Sequence, residues 1–197
     1  MSSAHGNRYI GLMVNASPAG SQAAPGELET VRVLLNSWLI PNDTRQPTDH
    51  FDDLVREHRW EDRDACLIRE LRGDLRGMVA HGDPAGRQEV SAADDCLNRW
   101  IARLGLGVSL TGGEVSYTHS GGPAGDYLAA VVGAVAAGTW SRLKACPDCR
   151  WVFYDHSRNG SKRWCLMYAG GPDGRACGTI AKVRRYRSKQ AAASAAG

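Results

Sequence analysis

The sequence predicts an α+β fold, with a mainly helical N-terminal body that contains a small β-hairpin and a C-terminal four-cysteine module that ends in a basic helix. Three observations lead to this prediction. Apolar residues recur at helical spacing over much of residues 25–140, two alternating stretches flank a Gly-Gly turn, and four cysteines cluster near the C-terminus. We expect the body over residues 1–141, the cysteine module over 142–190 and a disordered tail over 191–197.

The first half of the body contains three predicted helices. A first helix opens at Pro25 and runs to about Leu39, because apolar residues recur every three or four positions and proline is favoured at a helix start. Thr48 can cap a short second helix. Residues 61–80 form the longest amphipathic pattern. Beside its apolar stripe lies an arginine row, which could contact phosphate but which we interpret as a solvated face paired with nearby carboxylates: Arg69, Arg72 and Arg76.

The second half of the body contains two helices and the hairpin. Ser91 and Asp94 resemble a capping box at the start of a helix. The alternating residues of the hairpin flank the turn Thr111-Gly112-Gly113-Glu114. They are Val108 and Leu110 on one strand and Val115 and Tyr117 on the other. Residues 124–140 are almost continuously apolar and rich in Ala and Gly, which predicts a closely packed buried helix.

The composition of the chain indicates its expected cellular location. Apolar residues make up 43% of the 197, which is enough for a core, yet no run of about 18 apolar residues predicts a membrane span. Residues 1–9 lack the basic start and apolar run of a secretory signal. We therefore expect a cytoplasmic, nucleoid-associated protein with no membrane partner. In such a reducing compartment, clustered cysteines favour a metal over disulfides.

Charge is divided unevenly along the chain, although the net charge is only +3. Residues 142–190 contain 12 Lys/Arg and 3 Asp/Glu, whereas the rest of the chain contains 12 and 18. The cysteine module therefore has a net charge of +9 and the remainder −6. An acidic body joined to a basic segment is typical of a protein in which one part meets a polyanion.

The four cysteines have the spacing Cys146-x2-Cys149-x15-Cys165-x11-Cys177. Four thiolates can close a tetrahedral site, so we expect one structural Zn²⁺ that folds a segment too small for its own core. The alternative, a redox Cys-x-x-Cys, lacks the βαβ context of thioredoxin-like motifs. Two other cysteines lie at helical spacing and are expected in the core, namely Cys66 and Cys96.

The sequence also predicts the surroundings of the metal. The Cys146–Cys149 turn should lead into a short strand of aromatic and β-branched residues. The connecting turn holds His156, a poor candidate ligand. A small apolar cap over the metal is expected from Trp151, Phe153 and Trp164.

No enzymatic activity is expected. Four cysteines fill the coordination shell, whereas a catalytic zinc keeps one position open. The sequence has no Gly-x-Ser-x-Gly motif, no glycine-rich phosphate loop and no histidine cluster.

The segment from Arg142 to Met167 contains Arg158-Asn159-Gly160-Ser161-Lys162-Arg163-Trp164-Cys165, and Ala181-Lys182-Val183-Arg184-Arg185-Tyr186-Arg187 follows the last cysteine. Both stretches resemble the CGNR zinc-finger proteins of bacteria. The body is similar, in helix order and late hairpin, to the ABATE domain that usually precedes this finger. The resemblance implies a treble-clef or ribbon-like finger and a stress-induced transcription regulator. Two departures are Thr179-Ile180, where the family has Asn-Arg, and an insertion over residues 169–175.

Double-stranded DNA is the expected partner of the cysteine module. Residues 178–189 should form a helix with Ile180, Val183 and Tyr186 as its packing face. Its cations could enter the major groove, where arginine reads guanine: Lys182, Arg184, Arg185, Arg187 and Lys189. A second group lies in the predicted hairpin between the metal halves and should hold phosphates: Arg158, Asn159, Lys162 and Arg163.

These observations predict a zinc-dependent DNA-binding transcriptional regulator. The alternative is a zinc ribbon that binds RNA or docks a protein, without a transcriptional role. The body is a candidate for homodimerisation or for sensing a small apolar effector. Four aromatic residues could line its pocket: Trp38, Trp60, Trp100 and Tyr127.

Overall fold

The computed structural model describes residues 22–41, 44–79, 87–166 and 176–195. The insertion over residues 169–175 lies outside these ranges. Contacts divide the chain into a larger unit, residues 22–165, and a smaller unit whose described part comprises Leu166 and residues 176–195. The division therefore lies after Cys165, whereas the sequence places a domain boundary at residue 141.

The α+β prediction is confirmed: the described residues form six helices and three two-stranded antiparallel sheets. The helices of the larger unit are α1 (Leu28–Asn36), α2 (Phe51–His58), α3 (Asp62–Met78), α4 (Arg87–Leu104) and α5 (Gly122–Ala136). Its strands are β1 (Trp38–Leu39), β2 (Thr48–Asp49), β3 (Gly107–Thr111), β4 (Glu114–Thr118), β5 (Leu143–Ala145) and β6 (Val152–Tyr154). A short 3₁₀ helix, Trp140–Arg142, precedes β5. The smaller unit contains α6 (Cys177–Ala195).

The core of the larger unit lies between α1, α3 and α5, which contact one another. Helices α1 and α3 each contribute one apolar stripe, as the sequence periodicity predicts, whereas α5 is apolar over most of its length. Fully buried side chains include Val31, Leu34, Leu35, Ile68, Leu71, Leu75, Leu128 and Val131. The core also includes Leu143, Ala145, Val152 and Tyr154. The first half of the cysteine module is therefore packed into the body.

The limits or caps of three predicted elements differ from the structure, and α1 also begins at Leu28 and not at Pro25. Helix α1 ends at Asn36, and Trp38–Leu39 pairs with Thr48–Asp49 because the Ser37 carbonyl accepts a hydrogen bond from the His50 amide at 2.7 Å. The Asp49 carboxylate, not Thr48, accepts a hydrogen bond from the first amide of α2. Helix α4 begins at Arg87, four residues before the predicted cap at Ser91.

The arginine row on α3 is engaged within the larger unit. Arg69 donates to Asp52 at 2.7 Å, as expected for a paired surface cation. Arg72 is buried, contrary to the predicted solvated face, and donates to both carboxylate oxygens of Asp49 at 2.6 and 2.7 Å. This pair holds the pKa of Asp49 below its usual value.

Arg76 donates to main-chain carbonyls instead of a carboxylate, those of Leu35, Trp38 and Arg150. Burial, with the nearby positive charges of Arg72 and Arg150, lowers the pKa of Arg76 to about 10. Arg72 and Arg76 are therefore engaged in contacts within the fold, while Arg69 stays at the surface in an ion pair.

The β3–β4 hairpin forms in the predicted register, in which Thr111 pairs with Glu114. Gly112 and Gly113 make the turn with φ values of 63° and 86°, a conformation that favours glycine. Among the described residues, no helix combines the length and the apolar composition that a membrane span requires.

Candidate metal centre

The structure brings the four predicted cysteines together. The sulfur atoms of Cys146, Cys149, Cys165 and Cys177 all lie within 4.8 Å of one another, and all four residues are buried. The Cys149 and Cys165 sulfurs are 3.5 Å apart, too far for a disulfide. Zn–S bonds of about 2.3 Å place tetrahedral sulfurs about 3.8 Å apart. The donor set therefore fits one structural Zn²⁺ held by four thiolates.

A tight turn between β5 and β6 presents the first two thiols. The Cys146 amide donates to the Trp151 carbonyl at 2.9 Å, and the Arg150 amide donates to the Cys146 carbonyl at 2.9 Å. Arg150 has a φ of 61°, so the chain reverses directly after Cys149. The strand that the sequence predicts after this turn is β6. These bonds preset the two sulfurs on one side of the turn.

Helix α1 holds β6 through a polar side chain that the sequence analysis missed. Asn36 is buried; its Oδ1 accepts the Val152 amide at 2.7 Å and its Nδ2 donates to the Val152 carbonyl at 2.9 Å. Arg32 adds a bond to the same carbonyl at 3.2 Å. The one sequence signal was a polar residue at the end of an apolar helical stripe. Asn36 therefore links α1 of the body to the turn that contains Cys146 and Cys149, called the metal turn below.

We expect Asn36→Ala to lower the free energy of unfolding by about 2–3 kcal/mol, because it leaves the buried Val152 amide without a partner. Chemical denaturation of the zinc-loaded protein measures this difference. The matched control is Thr30→Ala, an exposed position on the same helix, for which we expect a change below about 0.5 kcal/mol. Equal effects of the two variants would contradict the role of Asn36.

A second set of hydrogen bonds to the metal site comes from Gln22, which precedes α1. The Gln22 side chain donates to the Cys165 carbonyl at 3.1 Å and accepts the Trp151 indole N–H at 3.0 Å. The Gln22 carbonyl accepts the Tyr154 amide at 3.0 Å. One residue therefore contacts both the strand after the first cysteine pair and the third cysteine. Nothing in the sequence pattern distinguishes it.

Residues 155–166 form a loop with a turn, not the predicted hairpin. The cause is Asp155, which is fully buried and accepts hydrogen bonds from the Lys144 ammonium and from the Ser157 and Lys162 amides, each at 2.8–2.9 Å. Lys144 also donates to the Gly160 and Lys162 carbonyls. These hydrogen bonds fold residues 155–162 into a compact loop around the Asp155 carboxylate, so this segment does not pair as a strand.

The same bonds keep Asp155 ionised. Burial alone would raise the pKa of this carboxyl, but the Lys144 ammonium, Ser157 and the Lys162 amide together lower it to about 2. The carboxylate therefore stabilises the loop at all pH values above its ordinary range, and this stabilisation is lost only as the pH falls towards 2. The loop presents Arg158 and Asn159 in exposed positions.

The predicted aromatic cap is only partly observed. Phe153 is fully buried and lies outside the main core cluster, whereas Trp151 and Trp164 are half-buried. The Lys162 ammonium lies 5.2 Å from the Phe153 ring centroid. Lys162, predicted to hold phosphate, is therefore half-buried against the finger.

The remaining metal-ligand candidates lie apart from the site. Cys96 is buried on α4 as expected, but Cys66 is exposed on α3, where its sulfur lies 3.7 Å from a Glu70 oxygen. The core prediction for Cys66 is wrong because α3 turns this position to solvent. His156 donates from Nε2 to the Ala23 carbonyl at 2.8 Å and lies outside the cysteine cluster.

Helix α6 begins at the fourth ligand, as predicted, and its first turn is anchored locally. The Gly178 amide donates to the Leu166 carbonyl at 2.9 Å. Five predicted DNA-contacting cations on the helix are all exposed: Lys182, Arg184, Arg185, Arg187 and Lys189. The predicted packing face is wrong beyond Ile180, since Val183 and Tyr186 are 42% and 62% exposed. The helix continues to Ala195, so residues 191–195 are helical where a disordered tail was predicted.

The proposed effector pocket does not gather its four aromatic residues. Trp60 and Tyr127 lie edge to face with ring centroids 6.1 Å apart, while Trp38 stacks under Arg76 and Trp100 donates to Asp74. Two open cavities of about 620 and 390 Å³ lie on the larger unit, and of the four only Trp100 lines either of them.

Comparison with known families agrees with the chemistry of the site. Residues 142–190, about a quarter of the chain, match the family model of the CGNR zinc finger. No curated protein matches the chain. The matched segment contains all four cysteines. This protein therefore contains a zinc-finger segment with a four-cysteine metal site.

Proposed function

We propose that this protein is a zinc-dependent transcriptional regulator whose cysteine module binds double-stranded DNA. The observation that carries the proposal is α6: the helix begins at a zinc ligand, carries five exposed cations and has no acidic residue over 176–195. Metal ligation at Cys177 would fix the first residue of this helix. Its side chains can therefore meet a polyanion without first ordering the backbone.

The cations of α6 fall on both sides of one apolar stripe. At 100° per residue, Lys182, Arg185 and Lys189 lie on one side of Val183 and Tyr186, while Arg184 and Arg187 lie on the other. In a major groove, such a helix can contact both flanking phosphate strands, and its arginines can reach guanine O6 and N7. Because the apolar stripe is exposed, it is available to thymine methyl groups.

The Asp155 loop supplies a second cationic segment. Arg158 and Arg163 are exposed on a loop whose shape is set by the Asp155–Lys144 pair. A preordered loop loses little conformational entropy on binding, which suits a group that positions the protein on phosphates rather than reading bases. Arg142 supports this segment, since its guanidinium donates to the carbonyls of Asp155 and Ser157.

The charge and the packing of the body support a regulatory role for it. It is acidic, so it repels the DNA that the module attracts, and it holds the metal turn through Asn36. We propose that the body is an ABATE-like domain that transmits the binding of a small-molecule effector to the finger. The protein would act without catalysis, in the cytoplasm on the nucleoid, as part of a stress response.

RNA is the second candidate partner, because Tyr186 is 62% exposed on the basic helix. An exposed aromatic ring can stack on an unpaired base, which a duplex does not offer. Docking to a protein through Val183 and Tyr186 would use the same surface.

Genome-wide occupancy of the tagged protein tests this function. We expect discrete promoter peaks that disappear in Cys165→Ser, which loses a zinc ligand, and that persist in Cys66→Ser, an exposed cysteine outside the site. Binding of the purified protein to duplex DNA should weaken as salt rises. Recovery of RNA in place of promoter DNA, or of no nucleic acid, would overturn the proposal.

A further inference from the structure

The β3–β4 hairpin presents an apolar face to solvent. Its register places four apolar side chains on one face, in the cross-strand pairs Val108–Tyr117 and Leu110–Val115. Val108, Leu110 and Val115 are 66%, 73% and 58% exposed. The opposite face is polar, and the Ser109 and Ser116 hydroxyls hydrogen-bond there at 2.7 Å. Apolar patches on the order of a few hundred Å² are the largest that a typical monomer exposes, and they are often functional.

On β3, two of these residues, Val108 and Leu110, also have main-chain N–H and C=O groups that β4 does not use. With a two-residue turn, Thr111–Glu114 and Ser109–Ser116 are hydrogen-bonded pairs, so the main-chain groups of Val108 and Leu110 point away from β4. The sheet has two strands, and no described segment donates to or accepts from these groups. A strand added at this edge would therefore gain backbone hydrogen bonds and apolar contacts together.

This edge has none of the features that normally prevent strand addition. Monomeric proteins protect edge strands with charged residues, prolines or bulges. Strand β3 reads Gly-Val-Ser-Leu-Thr, with no charge and no proline, and its register contains no bulge. Strand β4 contains one charge, Glu114, beside the turn. The unprotected strand is therefore β3.

We propose that β3 pairs antiparallel with β3 of a second copy of this chain, which makes a four-stranded sheet across a two-fold axis. The outward main-chain groups of Val108 and Leu110 set the register: Val108 of each copy pairs with Leu110 of the other, and Ser109 lies opposite itself. Two uncharged strands meet without like-charge repulsion. Both apolar faces then lie on the same side of one sheet.

The size of the patch predicts the strength of this dimer. A stable interface buries about 800 Å² on each partner, more than the hairpin patch provides alone. We therefore expect a reversible dimer that forms at micromolar concentration. The dimer would give the protein two zinc modules. The dimer proposal goes beyond the proposed DNA binding and is tested without nucleic acid. Either proposal can therefore fail while the other stands.

Sedimentation velocity of the full zinc-loaded chain tests the dimer. We expect the mass to rise from the 21.3 kDa of the monomer towards twice that value with concentration. Leu110→Lys, which adds a charge to the apolar face of the edge strand, should keep the protein monomeric. The matched control is Thr118→Lys on the opposite face of β4, which should still dimerise. The two variants carry the same charge change on one hairpin.

A cysteine at the two-fold axis tests the register. Non-hydrogen-bonded antiparallel pairs have Cα atoms about 4.5 Å apart, which lies within the range of a disulfide. In a Cys66→Ser background, Ser109→Cys should form a covalent dimer under mild oxidation with zinc present. Ser116→Cys, at the centre of β4, should not.

Three results would overturn the proposal. The first is a wild-type protein that remains monomeric at about 100 µM, well above the expected micromolar range. The second is a dimer that Leu110→Lys leaves intact. The third is crosslinking through Ser116→Cys in place of Ser109→Cys. A monomer that Leu110→Lys destabilises would show instead that another segment of the same chain covers the edge.

Discussion

Replacing Cys149 with serine is expected to abolish zinc binding and to lower the melting temperature by more than about 10 °C. Structural zinc in finger peptides contributes an apparent 10–16 kcal/mol to folding, as much as the whole stability of a typical domain. For a chain of this length, each kcal/mol lost lowers the melting temperature by about 2–4 °C. Metal content by mass spectrometry should fall from one zinc per chain to none, and calorimetry measures the melting temperature.

The effect should extend beyond the finger because the metal turn is packed into the body. Leu143, Ala145 and Val152 belong to the main hydrophobic core, and Asn36 on α1 bonds to the Val152 backbone. Loss of the metal therefore releases β5 and β6 from the core of the larger unit. We expect hydrogen exchange to increase in α1 as well as in the metal turn.

Two other cysteines provide the controls for this variant. Cys66→Ser changes an exposed thiol and should keep one zinc and the wild-type melting temperature. Cys96→Ser changes a buried thiol on α4 and should lower stability while keeping the zinc. A zinc-free Cys149→Ser protein that melts like the wild type would contradict a structural role for the metal.

Neutralising one side of α6 should reduce DNA affinity by about two orders of magnitude at 0.15 M salt. Each phosphate contact contributes about 0.9 to the slope of log affinity against log salt. The triple variant Lys182→Gln, Arg185→Gln and Lys189→Gln should therefore reduce this slope by about 2.7. Glutamine is a good helix former, so circular dichroism should show an unchanged helix. Fluorescence anisotropy with duplex DNA over a range of salt concentrations measures both quantities.

A triple variant of the body controls for net charge. Arg56, Arg63 and Arg99 are exposed in the larger unit, outside the zinc-finger segment, and changing them to glutamine removes the same three charges. We expect this variant to keep the wild-type slope. If both triple variants reduced the slope equally, the binding would report overall charge and not contacts made by α6.

The sequence by itself determined the chemistry of the metal site, because zinc ligation depends on a few residues of one type at short spacing. The Cys-Pro-Asp-Cys turn, the strand after it and the helix that starts at Cys177 all follow from local preferences. The same holds for the β3–β4 hairpin, where Gly112 and Gly113 supply the positive φ values that the turn needs. The apolar stripes of α1 and α3 also follow from local periodicity, and the buried α5 follows from its almost continuous apolar sequence.

Other features depend on partners far apart in the chain. The end of α1 at Asn36 is set by strand pairing across residues 38–49, not by the apolar pattern, which continues to Leu39. The chain after Asp155 forms a loop and not the predicted hairpin. The reason is that Lys144, on β5, donates hydrogen bonds to the Asp155 carboxylate and to the Gly160 carbonyl. Arg72 is buried, and not solvated as predicted, because it pairs with Asp49, which lies 23 residues earlier in the chain.

The sequence therefore determined which residues bind the metal and which helix carries the positive charge. Only the tertiary structure decided that Asn36 holds the metal turn, that the first half of the finger belongs to the body core, and that β3 has an open apolar edge. The physical reason is the range of the interactions. Ligand spacing, turn geometry and helical periodicity act within a few residues, whereas a buried hydrogen bond or an uncovered strand depends on which distant segments the fold brings alongside.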